Sequence, residues 1–382
     1  MKITGIICEY NPLHLGHKKQ LDAVRALNGE DTAIVCLMSG NYVQRGAPAI
    51  VDKSLRAKAA VDCGADLVLE LPVTYALSSA EGFAAGGVRL LGGFCHQLCF
   101  GAEDPDADRL METARALLSP AFSPALRDGL DKGLSFPAAR QQALEALGLD
   151  GDLLQSPNNI LAVEYCKAIL SQGVSMAPLP IPRGGSYHAA TPDGENPSAT
   201  AVRSLMLRSG AWLDYVPAEA RETFRQAAPH SLAAGERAVL ARLRTMTDGD
   251  FETLPYGSEG LWRKLMKACR QEACLEDILT AAKSKRYTRT RLDRMVMCAF
   301  LGLTAQDLDT PAPYARVLAF NDRGRQVLNT ARKAGSFPNI GQATGHAYEA
   351  IEQRADDLYG LFAPDAPEAP GQAAQRRVYY RQ

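Results

Sequence analysis

The sequence predicts an α/β domain built on a parallel sheet, followed by an all-helical C-terminal domain. Three observations carry this. Short β-branched apolar runs alternate with helix-period segments through the first half of the chain, the pattern of a parallel sheet with crossover helices. The strand signals stop near residue 212 while 3.6-residue periodicity continues. At 382 residues the chain is also too long for one ordinary core.

The runs ITGIICEY, TAIVCLMSG, ADLVLELP and CHQLCFGAE end in polar, Gly or Pro punctuation and read as strands. Residues 14–28, 52–63 and 78–91 read as helices between them, Asp52 capping the second. Residues 105–155 read as a helical insertion. PNNILAVEYCKAIL then reads as a helix, SMAPLPI as a strand, and SATAVRSLMLRSG as a helix capped by Ser198 and ended by Gly210. Further on, 217–227, 230–245, 258–285, 289–303, 312–334 and 345–360 carry helical periodicity. The expected division is therefore 1–211, 212–362 and an Ala/Pro-rich tail, 363–382, expected to be flexible.

Lys and Arg number 42 against 43 Asp and Glu, so contact with a nucleic acid must come from a local basic patch. No run of eighteen apolar residues and no secretory pattern is present, which points away from a membrane. The nine cysteines are odd in number, lack CxxC spacing and sit mostly in apolar runs. They read as reduced core residues of a cytoplasmic protein.

The informative stretch is GIICEYNPLHLGH, residues 5–17. In a parallel sheet, ligands bind where strands end and helices begin. His14, Gly16 and His17 fall at the first such turn. A helix N-terminus offers unpaired N–H groups and partial positive charge to a phosphate, imidazoles can donate to its oxygens, and Gly16 allows close approach. Two plainer readings stand beside this one: half a metal site, for which no third ligand is evident, and surface histidines without a role.

EYNPLHLGH resembles the HxGH signature of the nucleotidyltransferase superfamily shared with class I aminoacyl-tRNA synthetases, and SATAVR, Ser198 to Arg203, resembles its second motif. Together with SGNYVQRGAPAIVDKSLRAKAAVDCGADLVLELP, FGAE, SPNNILAVEY and KSKRYTRTRLDR, these residues make the chain similar to the tRNA(Met) cytidine acetate ligase family from Met1 to about Gly360. The resemblance implies a Rossmann-like nucleotidyltransferase fold. It implies an enzyme that activates acetate with ATP to acetyl-adenylate and then acetylates the wobble cytidine (C34) of elongator tRNA(Met) to N4-acetylcytidine. ATP and Mg2+ are implied as substrate and ion, acetate and elongator tRNA(Met) as partners; neither a membrane nor DNA is.

The family's ATP segment falls on Ile7, Cys8, Glu9, Tyr10, Asn11, Pro12, Leu13, His14, Leu15, Gly16, His17, Lys18, Lys19 and Gln20. Its other nucleotide contacts fall on Gly101, on Asn158 (with Asn159 adjacent) and on Arg183. Arg203 matches the superfamily helix start and is expected at the β- and γ-phosphates. SATAVR lacks the second hydroxyl of the superfamily pattern, so one phosphate contact is expected to be missing. His14 and His17 are the expected catalytic residues, acting by positioning and electrostatics, with magnesium neutralising phosphate charge. The chemistry requires no covalent enzyme intermediate, and the sequence identifies no base for acetyl transfer.

GNYVQRG follows the second strand, placing Asn41, Gln44 and Arg45 at the same edge, as substrate-binding residues or as a solvated turn. KSKRYTRTRLDR groups Lys283, Lys285, Arg286, Arg289 and Arg291 around Tyr287: basic residues for an RNA backbone and an aromatic able to stack on an unpaired base. A solvated helix face and a synthetase-like lysine loop are the alternatives. Arg263, Lys267 and Arg270 share one helix face and either extend that patch or are solvated. Two rival functions remain: a nucleotidyltransferase forming a dinucleotide from ATP, and a tRNA-binding module with a silent site.

Overall fold

A computed structural model describes residues 1–183, 197–208, 210–225, 227–284, 287–312, 314–333, 347–365 and 369–382. In chain order the strands are β1 (Ile3–Cys8), β2 (Ala33–Ser39), a hairpin of β3 (Tyr42–Val43) and β4 (Ala47–Pro48), β5 (Leu67–Leu71), β6 (Gln97–Ala102), β7 (Ala177–Pro182), β8 (Val317–Asn321) and β9 (Tyr379–Arg381). Helices α1 (Leu15–Asn28), α2 (Lys53–Asp62), α3 (Val73–Ala76) and α4 (Ala80–Leu91) link the early strands. The segment 105–155 holds α5 (Ala107–Leu118), α6 (Phe122–Asp131) and α7 (Phe136–Ala146), and α8 (Pro157–Gln172) leads into β7. α9 (Ala199–Leu207) and α10 (Ala218–Arg225) follow. A helical array then comprises α11 (Leu232–Thr245), α12 (Asp248–Glu252), α13 (Leu261–Gln271), α14 (Leu275–Ala282), α15 (Arg289–Leu301) and α16 (Ala305–Asp309). α17 (Asp322–Lys333), α18 (Ala347–Tyr359) and α19 (Gln372–Gln375) come last.

The sheet order is β7-β6-β1-β2-β5-β8-β9. Its first five members pair in parallel. The chain winds outward from β1 through β2 to β5, then returns to the other side of β1 for β6 and β7. Connections after β1 and β6 therefore diverge, opening a crevice at the carboxyl ends of these two strands. Both faces are apolar, as a covered parallel sheet requires. Ile3, Ile7, Val35, Leu37, Leu67 and Leu69 join one core with α4 and α8, while Ile6, Cys8, Ile34, Cys36, Met38 and Val68 join another with α1 and α2.

β7 contains prolines at 178, 180 and 182 and is still a strand. The flanking ladder bonds explain why: Ala177 and Arg183 donate to the His96 and Ala102 carbonyls of the β6 strand region. Odd-numbered N–H groups thus face β6, and the missing even-numbered ones face away on an edge strand.

The C-terminal region differs in one respect from the all-helical expectation. The helix read over 312–334 is a strand, β8, that passes directly into α17. β8 pairs antiparallel with β5, and β9, inside the segment read as a tail, pairs in parallel with β8. VLAFN is five residues long, has no break before the helix, and finds its partner about 250 residues upstream. No local pattern reports such pairing. β9 is anchored by Tyr379, whose hydroxyl donates to Asp62 (2.9 Å), and by Arg381, which donates to the Val61 carbonyl (3.0 Å).

A buried charge cluster joins α18 to the sheet. Lys53 lies 2.6 Å from Glu70 and 2.5 Å from Asp356, and Arg316 lies 3.0 Å from Asp356. Glu352 accepts the Val73 N–H at 2.8 Å. Burial, then the charge of Glu70, raises the Glu352 carboxyl to about 8. Among the described residues no helix is long and apolar enough to cross a membrane.

Candidate active site

The turn after β1 is shaped by backbone contacts. Glu9 accepts the Gln44 N–H (2.7 Å), and Asn11 accepts the Ile50 N–H through its side-chain carbonyl (2.7 Å). Tyr10 between them is left-handed at φ 44° and wholly buried. Arg56 of α2, also wholly buried, donates to the carbonyls of Val51, Glu9, Ser39 and Gly40. One guanidinium thus ties the ends of β1 and β2 together.

His14 caps α1. Its Nδ1 accepts the Gly16 N–H (3.1 Å), and His17 Nδ1 accepts the His14 N–H (3.3 Å) in return. The rings stack with centroids 3.8 Å apart. A Cβ on Gly16 would lie 3.1 Å from the His14 ring, so a larger residue would press on the cap. Burial, then Arg183 and Arg203, lowers His14 to about 3. Burial, then His14 and Arg183, pushes His17 well below its usual value. Both imidazoles are therefore neutral near pH 7. Each uses Nδ1 as an acceptor, so each carries its hydrogen on Nε2. His14 Nε2 is buried with no hydrogen-bond partner among the described residues, a costly state unless an acceptor arrives.

Across the crevice, Glu103 follows β6 and grips the start of α8. It accepts from the Asn158 side chain (2.6 Å) and the Asn159 N–H (2.9 Å). Arg183, after β7, donates to the Asn158 side-chain carbonyl (2.7 Å). Asn159 instead accepts from the Asp104 N–H (3.0 Å). Ser198 caps α9 by accepting from the Ala201 N–H, and Arg203 reaches back to the Asn11 carbonyl (2.8 Å) and Thr200 (3.0 Å).

A cleft of about 470 Å³ opens between these elements. Of the residues expected from sequence, Ile7, Cys8, Glu9, Tyr10, Asn11, His17, Gln20, Gly101, Asn158, Arg183 and Arg203 line it, with Gln44 and Arg45 from the hairpin turn. Pro12, Leu13, His14, Leu15, Gly16, Lys18 and Lys19 are not in the lining: His14 is buried, Leu13 is core, and Lys18 pairs with Asp22. Asn41 is placed elsewhere; it accepts the Lys53 N–H (2.9 Å) and donates to Asp356 (3.2 Å) in the charge cluster. Sequence reading missed Arg56, Glu103, Thr200 and His230. Glu103 was within reach, being an acid just past a strand end. Arg56 gave no signal beyond one arginine in a helix.

The basic cluster is less available than its composition suggests. Lys285 and Arg286 lie outside the described residues. Lys283 is exposed. Arg289 pairs with both oxygens of Glu276 (2.7 and 2.8 Å) and with Asp293 (2.8 Å). Arg291 donates to the Tyr256 carbonyl and Ser258. Tyr287, expected to offer a stacking face, is buried, with its hydroxyl on the Glu259 carbonyl. The cluster nevertheless touches the cleft wall. Gly46 of the hairpin turn sits at φ 78°, and a Cβ there would fall 2.3 Å from the Arg294 backbone nitrogen of α15.

Residues 1–374 match the HIGH Nucleotidyl Transferase family. The tRNA(Met) cytidine acetate ligase of Clostridium novyi is 38% identical over 88% of this chain and 89% of its own length. This chain belongs to that ligase family. The family's Acetivibrio thermocellus member is 36% identical over 89% of this chain and 88% of its own. Apo Thermotoga maritima TmcAL, a solved structure, superposes with a TM-score of 0.92 at 29% identity over the whole of both chains. The same protein bound with alpha-thio ATP gives 0.87, again over the whole of both. The Rossmann-like nucleotidyltransferase fold expected from sequence is the fold of this family.

Proposed function

We propose that the chain is an ATP-dependent tRNA(Met) cytidine acetate ligase, forming acetyl-adenylate and then N4-acetylcytidine at C34 of elongator tRNA(Met). The observation that carries this is the pair of neutral, Nδ1-capped imidazoles beside Arg183 and Arg203 at the sheet's crevice. Nε2–H donors and guanidiniums suit a triphosphate, and donors that do not titrate near pH 7 keep their hydrogen throughout turnover. An acetate oxygen attacks the α-phosphorus and pyrophosphate leaves. The chain's part is to align the two and to stabilise the leaving charge. Asn158 is the asparagine assigned to ATP, since Asn159 is turned to Asp104.

Glu9 is the one carboxylate among the lining residues described. A Mg2+ ion would have that carboxylate as its one charged protein ligand in the lining and would serve to neutralise triphosphate charge. Gln44 and Arg45, on the hairpin that borders α15, are assigned to the acceptor side. We assign residues 1–211 to ATP and acetate and 212–362 to docking of the tRNA, with β8 and β9 added to the first unit's sheet. Pyrophosphate exchange tests the reading: exchange that requires acetate supports it. Exchange that requires a phosphorylated acceptor would replace it with dinucleotide synthesis, and none at all with a binding module.

A further inference from the structure

We propose that His230 is the general base of the acetyl-transfer step, an inference that rests on the ligase reading above. His230 immediately precedes the cap of α11 and lines the cleft. Its backbone N–H donates to the Ile50 carbonyl (2.8 Å), and the Ile50 N–H donates to Asn11 of the histidine turn (2.7 Å). Two hydrogen bonds thus fix it to the loop that also holds Arg203.

The ring is held as firmly as the backbone. It stacks on Tyr359 at 4.1 Å with an interplanar angle of 11°, and Tyr359 is itself anchored to the Ala49 carbonyl (2.9 Å). Nδ1 lies 3.1 Å from the Ala228 carbonyl oxygen. That oxygen can only accept, so Nδ1 bears the hydrogen and Nε2 is the basic nitrogen. An imidazole whose far nitrogen is tied to a fixed acceptor is oriented as a base. In His14 and His17 the arrangement is reversed: Nδ1 accepts and Nε2 donates.

Other titratable groups in the lining fit the task less well. Cys8, Tyr10 and Tyr165 are pushed up by burial, His17 is pushed down, and Glu9 is engaged by the Gln44 N–H. His230 is half-buried, so its ring reaches the cleft while its backbone and Nδ1 are held. In the step, the cytidine amino nitrogen attacks the acetyl carbonyl carbon of the adenylate. The N–C bond forms, the C–O bond to phosphate breaks, AMP leaves with that electron pair, and the amine proton passes to Nε2 and then to water.

The test measures the two half-reactions separately on the full chain, for H230A and H230Q. Adenylate formation is read as acetate-dependent pyrophosphate release without RNA. Transfer is read as single-turnover acetylation of tRNA(Met) from preformed acetyl-adenylate. Transfer should fall by about 10²–10⁴-fold, far more than adenylate formation, and added imidazole should restore part of it in H230A. Transfer close to wild type in H230Q, or an equal fall in both half-reactions without imidazole rescue, would overturn the assignment. Wild-type protein that forms no acetyl-adenylate would overturn the ligase reading itself, so the two failures are distinguishable.

Discussion

The cleft beside β1 and the charge cluster beneath α18 are both polar and both withdrawn from water, yet they balance differently. In the cluster, Lys53 and Arg316 face Glu70 and Asp356, two cations against two carboxylates, and Glu352 keeps its proton at neutral pH. The lining of the cleft includes Arg45, Arg183, Arg203 and Glu9, and beside it the buried His14 Nε2–H has no acceptor among the described residues. Matched buried charge holds a structure together. A buried N–H without an acceptor at a crevice is a place for an anion.

Breaking the match in the cluster should have the largest effect. Lys53→Met leaves the two buried carboxylates with Arg316 as their one remaining cation in the cluster. Loss of one partner of a buried pair typically costs about 3–5 kcal/mol, read as a lowered denaturant midpoint. A midpoint within error of wild type would mean the cluster is hydrated rather than matched. On the cleft side, His14→Ala and His17→Ala should cut acetyl-adenylate formation by about 10²–10³-fold with circular dichroism unchanged. Near-normal pyrophosphate release in both would remove the phosphate role of the histidines.

Arg183→Ala should come next. It removes a charge and the donor to the Asn158 side-chain carbonyl, and a charged hydrogen bond is worth about 1.5–3 kcal/mol. Calorimetry should show ATP affinity down by roughly 10–100-fold, and Asn158→Ala should weaken binding in the same direction. Unchanged ATP binding with weakened tRNA binding would move both residues to the RNA side.

Glu352→Gln sharpens the comparison through pH. The folded carboxyl titrates near 8 against an ordinary value of 4.5, so the native state binds more protons than the unfolded state between those limits. Wild-type stability should therefore fall as pH rises through that window, by at most about 1.4 kcal/mol per pH unit, and level off above 8. The amide keeps the acceptor for the Val73 N–H and does not ionise. The variant should match wild type below pH 4.5 and exceed it increasingly up to pH 8. Parallel stability curves would show that Glu352 is ionised in the fold.

The part of the cleft that could be read in the sequence was the part written locally. EYNPLHLGH and SATAVR each place their groups within one turn of a helix start, where spacing alone fixes geometry. The charge cluster was not legible, because Lys53, Glu70 and Asp356 meet across some 300 residues, and a lysine at a helix start reads as solvated. β8 failed for the same reason. His230 was missed because its meaning lies in Ile50, Tyr359 and Ala228, none of which forms a motif with it. Gln44 and Arg45 were legible as edge residues, whereas Asn41, three positions earlier, turned to the cluster instead.

The smallest effect is expected where charge is matched on the surface. Arg289 already holds Glu276 with two nitrogens and Asp293 with a third, so it has little left to offer an RNA phosphate. Arg289→Ala should shift the salt dependence of tRNA binding by well under one unit of slope, the amount expected for one phosphate contact. Removing Arg289 and Glu276 together keeps the net charge, and affinity should then return to wild type. Lys285→Ala with Arg286→Ala, two cations of the same stretch, should instead flatten the slope by up to about two units. The measurement is filter binding across several salt concentrations, beside an RNA-free pyrophosphate-release assay. A full unit lost on replacing Arg289, not restored by the Glu276 change, would show that RNA displaces the ion pair and that matched charge at this surface is a latch rather than a fixture. Loss of RNA-free adenylate formation in the Lys285/Arg286 variant would place that stretch over the ATP, as a synthetase-like lysine loop, and move it from the docking surface into the cleft.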